Sequence, residues 1–150
     1  MASQSTSEQA DNPPDYDSIP PRGAIIECIR TPAAPEPPSG SSQAFKVNGT
    51  IYVAAQAVSI PRGIANESTA LAERMIRNIE AILKAAGSGL DRIIKTTVYF
   101  TECLWVHEID KFEALYKRVF PFAPPRTTVF IPMGGTGNRQ EIQMEVIAVE

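Results

Sequence analysis

The stretch "APPRTTVFIP", residues 123–132, places one arginine, Arg126, between a proline pair and a run of β-branched and aromatic residues. A strand this apolar keeps charges outside it unless they have work to do. A guanidinium is a planar fork that takes a carboxylate through two parallel hydrogen bonds, about twice as strong as neutral ones. The competing explanation for Arg126 is a salt bridge, to Glu145 or across an interface. Other candidates for chemistry are weaker. Cys103 has no base beyond His107, the single histidine, four positions on, so it reads as a buried or incidental thiol. "GGTG", residues 134–137, follows a strand but opens no helix, so it reads as a hairpin turn rather than a phosphate cradle. The two cysteines, Cys28 and Cys103, lie far apart with no CxxC spacing, which argues against a disulfide framework or a zinc site.

The elements that position Arg126 follow from pattern and punctuation. Eight of the 13 prolines fall in the first 40 residues. Residues 1–22 are polar, acidic and Pro-rich, and read as a tail that is flexible alone; residues 23–150 form one domain. "AIIECI" (24–29) is expected to be a short strand and residues 30–42 a loop. "QAFKVNGTIYVAAQAV" (43–58) reads as two strands about an Asn48-Gly49 turn of type I′. Residues 59–68 are expected to be a loop. Leu71, Met75, Ile79, Ile82 and Ala86 recur at helical spacing, and Gly87 and Gly89 end that helix. Residues 92–101 form a strand and 102–108 an apolar connection. A second helix carries Ile109, Phe112, Leu115, Tyr116, Val119 and Phe120, and residues 126–132 and 139–149 are strands. The fold class is α+β, a six-stranded sheet with two helices on one face.

The last strand makes a further demand. Ile142, Met144, Val146 and Ala148 form one side, while the other carries Glu141, Gln143, Glu145, Ile147 and Val149. Its C-terminal half is apolar on both faces, where a sheet with one wet face would alternate. Two helices cover one face only, so a second copy of the chain is expected on the other, with Glu145 near the junction. Charge excludes another class of partner. Residues 1–40 hold six acids and two bases, leaving 11 acids and 12 bases for the rest. A nearly neutral body lacks the basic stripe that nucleic acid requires. No apolar run is long enough to span a membrane, and the N-terminal stretch is acidic without an apolar segment, so a cytoplasmic protein is expected.

The order of elements, with "SQAFKVNGTIYVAAQ", "NIEAILKAAGSGLDRIIKTTVYF", "PPRTTV" and "EIQMEVIAV", resembles the RidA/YjgF family over residues 24–150. The resemblance implies a chorismate mutase-like fold, a mixed sheet, and a homotrimer with a ligand cleft at each subunit interface. It implies hydrolysis of a reactive enamine or imine to a 2-keto acid and ammonia, without metal or cofactor. By motif, Arg126 binds the substrate carboxylate and Glu145 holds the attacking water. These two are the expected catalytic residues. The cleft is expected to be lined by Arg126, Thr127, Thr128, Ser41, Ala55, Tyr99 and Trp105.

The chain also departs from the deaminating members. Ser41 stands where they carry a tyrosine, Ala54-Ala55 where they often carry Ser-Gly, Thr128 where a cysteine is common, and Asp110 at the asparagine ahead of the second helix. The connection at 102–108 is longer than usual and carries Trp105 and His107. The anchor is kept while the wall has changed. The alternative expectation is therefore a bulkier biosynthetic intermediate, undergoing hydration, cyclisation or isomerisation, or a ligand bound without turnover.

Overall fold

The computed structural model describes residues 25–60, 68–131 and 140–150, with the side chains of 59, 60, 68, 102–108, 140 and 141 outside that description. The expected tail (1–22) and the "GGTG" turn lie outside the described residues, as do most of the expected 59–68 loop and the side chains of Cys103, Trp105 and His107. The elements are β1 (Ile26–Ile29), β2 (Ala44–Val47), β3 (Thr50–Ile60), α1 (Ser68–Ala85), β4 (Ile93–Thr101), α2 (Glu102–Val119), β5 (Arg126–Ile131) and β6 (Gln140–Val149). They form the expected mixed six-stranded sheet, in the order β1-β2-β3-β6-β4-β5. All neighbours are antiparallel except β4 and β5, which α2 joins in parallel.

Local chemistry accounts for these elements. Asn48 and Gly49 have φ of 50° and 77°, the paired positive values of a type I′ turn, and Val47 faces Thr50 across it. α1 buries Ala72, Met75, Ile76, Ile79, Ile82 and Leu83 along one stripe. It stops in a Schellman motif: the Ser88 amide donates to Leu83 O at 2.8 Å and the Gly87 amide to Lys84 O at 3.1 Å, with Gly87 at φ 82°.

One expectation is corrected. Residues 102–108 are not a connection but the first two turns of α2, which starts directly after β4 at Thr101. Thr101 makes no capping side-chain bond, so the start carries none of the usual signature.

The core lies under the helices, α1 against β3 and α2 against β4. Ile142, Met144, Val146 and Ala148 of β6 enter it with Val98 and Phe100 of β4 and Ile51 and Val53 of β3. An aromatic chain binds α2 to the sheet: Phe100 meets Phe112 edge-on at 5.0 Å, and Phe112, Tyr116 and Phe120 follow at 5.8 and 4.7 Å. Among the described residues, no helix covers the opposite face. Among the described residues, no helix is long and apolar enough to cross a membrane.

Candidate functional site

Arg126 opens β5, an edge strand, and the chain turns sharply to deliver it. Ala123 sits at φ 48°, a left-handed conformation that costs an L-residue about 1–2 kcal/mol. Pro124 and Pro125 then hold the approach extended, and Pro125 O accepts the Thr96 amide at 2.9 Å. Arg126 pairs in register with Thr96, which is buried on the helix side of the sheet. The guanidinium therefore meets α2. Arg126 Nη2 donates to Glu113 Oε1 at 2.6 Å and Nη1 to Oε2 at 3.3 Å. Its centre lies 4.6 Å from the centroid of the Tyr116 ring, a cation–π contact. The Tyr116 hydroxyl in turn shares a 2.7 Å hydrogen bond with Thr96 Oγ1. Burial pushes the Tyr116 phenol above its ordinary range; the Thr96 hydrogen bond and the Arg126 charge pull the other way, and Glu113 adds to the rise. Thr128 follows on the same face, half-buried.

Glu145 faces the other way. Its neighbours Met144 and Val146 are buried under the helices, so alternation along β6 puts Glu145 on the helix-free face, half-buried. It pairs in register with Thr97. The Tyr99 phenol is raised above its usual range, by burial first and then by the nearby Glu145 charge. With Tyr52, Lys95, Thr97 and Ile147, Glu145 lines a hollow of about 220 Å³. Lys95 Nζ donates to Thr127 Oγ1 at 2.5 Å, which puts exposed Thr127 on this face too.

Ser41 and Ala55 lie towards the opposite edge of the sheet. The register of β3 against β6 shifts between Val53 and Gln56, so Ala54-Ala55 form an irregularity that leaves Val53 and Gln56 both buried and Ala55 exposed. Ser41 and Ala54 line two grooves of about 390 and 380 Å³, the first with Phe45 and Tyr52 and the second with Ala55. Buried Gln43 fixes their rim: its amide accepts from Thr31 N at 2.7 Å and donates to Thr31 O and Pro35 O at 3.0 and 2.9 Å.

Within one chain, then, Glu145, Tyr99 and Thr127 share the open face with Ser41 and Ala55 further along the sheet, while Arg126 and Thr128 lie on the helix side. Trp105 falls in the first turns of α2, where side chains are not described. The salt bridge foreseen for Arg126 is made to Glu113, not to Glu145. Glu113 stands one turn beyond Asp110, and sequence reading passed over it, as it did Lys95. The available signal was its spacing of three from Tyr116, which puts both on one stripe of α2. Among the described residues, no three His, Cys, Asp or Glu side chains gather closely enough to hold a metal ion.

Comparison with known proteins agrees with this architecture. The family model described as Endoribonuclease L-PSP matches residues 31–150. A RutC family protein of Aquifex aeolicus is 30% identical over 132 residues, covering 81% of this chain and 98% of the relative. A rat protein named 2-iminobutanoate/2-iminopropanoate deaminase is 31% identical over 134 residues, covering 84% and 91%. The crystal structure of yeast Mmf1 superposes with a TM-score of 0.69 at 27% identity, covering 84% of this chain and 99% of that one. With the family model spanning most of its length and the same sheet and helices in solved relatives, the chain belongs to the RidA/YjgF family.

Proposed function

We propose that the protein hydrolyses a carboxylate-bearing imine or enamine to a 2-keto acid and ammonia, in a cleft between subunits of a homotrimer in the cytoplasm. The observation that carries this reading is the half-buried fork of Arg126 on an edge strand, in a chain whose relatives include proteins named for that deamination. The substrate carboxylate is taken by Arg126, which fixes the imine carbon relative to a water. The water oxygen bonds to that carbon as the C=N π pair moves onto the protonated nitrogen, and a water proton passes to Glu145. Glu145 returns that proton to the carbinolamine nitrogen, the C–N bond breaks and ammonia leaves, and the hydroxyl gives up its proton to water as the carbon–oxygen double bond forms. An imine carbon is electrophilic already, so orientation and one carboxylate suffice.

Arg126 and Glu145 point to opposite faces of one sheet, so a single ligand reaches both only where a second copy supplies one of them. The half-exposed apolar residues of the open face support the same assembly. Generating 2-iminobutanoate with a threonine dehydratase and following keto-acid release tests the reaction. Release is expected to exceed the buffer rate and to fall about 100-fold in Arg126→Ala. Release no faster than buffer, or indifferent to Arg126→Ala, would sink the reading.

The grooves beside Ser41, Ala54 and Ala55 favour a second reading, a bulkier ligand that is transformed or simply carried. Their volumes of about 390 and 380 Å³ fall in the range of small-molecule sites. On that reading a large aromatic carboxylate raises the melting temperature more than 2-oxobutanoate does, and equal shifts count against it.

A further inference from the structure

Arg126 does not offer an empty fork. Both terminal nitrogens already donate to the two oxygens of Glu113, at 2.6 and 3.3 Å. The two side chains are 24% and 30% exposed, so the pair is partly shielded from water. The guanidinium is the fixed member. It rises from a strand, lies over the Tyr116 ring at 4.6 Å, and that ring is itself held by Thr96 at 2.7 Å. Glu113 reaches it from the neighbouring helix on a side chain with three rotatable bonds. An incoming carboxylate thus meets an ion pair rather than a free cation, and the position it needs is filled by a group of its own kind.

We propose that Glu113 is a specificity-determining residue: its carboxylate occupies the carboxylate-binding fork of Arg126, and a ligand is accepted only by displacing it. This rests on the reading of Arg126 as a carboxylate anchor. A ligand that offers little beyond its carboxylate exchanges one anion for another and leaves Glu113 half-buried without its partner, an unfavourable trade. A carboxylate carrying a bulky apolar substituent offsets that loss through contacts elsewhere in the cleft. The substrate class selected is therefore an imino or keto acid with a large side chain, and the smallest members are held at a disadvantage.

Calorimetric titration of the full chain tests this with 2-oxobutanoate and its neutral amide, 2-oxobutanamide, against the wild type, Glu113→Gln, Glu113→Ala and Arg126→Ala. Glu113→Gln is expected to bind the acid about tenfold more tightly than the wild type, with the amide unchanged. A general loosening of the fold would not separate acid from amide. Glu113→Ala carries the same expectation and keeps the test alive should one variant fail to fold. Arg126→Ala is expected to lose the preference for the acid. If Arg126→Ala binds the acid as the wild type does, the anchor reading fails and this proposal with it. If Arg126→Ala loses binding while neither Glu113 variant gains any, Glu113 alone is wrongly assigned. Absence of binding in every form overturns both.

Discussion

Met144 and Glu145 are neighbours in β6, yet one has no exposure under the helices and the other is half-buried on the face that no described helix covers. The helix side is completed by its own chain. Phe100, Phe112, Tyr116 and Phe120 interlock there, and among the described residues no buried side-chain nitrogen or oxygen lacks a partner. The open side is not completed in this way. A register row runs across it from Cys28 through Phe45, Tyr52 and Ile147 to Lys95. Phe45 and Tyr52 remain 43% and 51% exposed. Stability is concentrated on one face, and apolar area together with titratable groups is left over on the other.

The largest test of that contrast compares adjacent positions. Phe100→Ala is expected to cost about 3–5 kcal/mol and Met144→Ala about 2–5 kcal/mol, because each leaves a cavity in a core that collapses only partly. Glu145→Ala, one residue from Met144, is expected to stay within about 0.5 kcal/mol. Urea unfolding at one protein concentration measures all three. A Glu145→Ala cost equal to that of Met144→Ala would erase the distinction between the faces.

A second test addresses the leftover apolar area. Tyr52→Asp with Ile147→Lys puts charge where the proposed trimer packs sheet on sheet. Sedimentation is expected to drop from trimer to monomer while the far-ultraviolet spectrum stays the same. A wild type that already sediments as a monomer at micromolar concentration would end the idea that a second copy covers this face.

Most of the architecture is legible in the residues, and the failures have physical causes. Asn48-Gly49 announces its turn because few other residues tolerate two positive φ values in succession. The α1 stripe and the two-faced end of β6 are periodicities, and period is a local property. The start of α2 is not legible, because "ECLWVHE" carries no cap and its Cys, Trp, Val and His are indifferent helix formers. The irregularity at Ala54-Ala55 is hidden too, since alanine fits either face and does not mark where alternation slips. At the candidate site, Arg126 betrays itself as a charge in an apolar run. Its partner does not, because Glu113 reaches Arg126 only through the crossing of α2 over the sheet edge, a tertiary fact. The sequence implies a partner for Arg126; Glu113 lies in the part of α2 that reads as helix, but where that helix crosses the sheet does not follow from its period.

The smallest expected effect separates the faces by their tyrosines. Tyr116 is 6% exposed on the helix side, and Tyr99 is half-buried on the open side. Tyr116→Phe removes the bond to Thr96, whose hydroxyl is left buried, and is expected to cost about 1 kcal/mol near neutral pH. Both phenols are raised above the ordinary value of 10.0, so folding favours their neutral forms. Their contribution is fully present below that value, where the phenols are neutral in both states. It is lost as pH climbs through the folded-state value, because the unfolded chain gives up its protons first. Urea midpoints taken from about pH 8 to about pH 11 should therefore fall with rising pH, and Tyr116→Phe should flatten that fall more than Tyr99→Phe. The order matters more than the size. If Tyr99→Phe flattens the curve as much as Tyr116→Phe does, Tyr99 is as closed to water as the core. The phenol would then be packed into the proposed seam between copies rather than lining an open cleft.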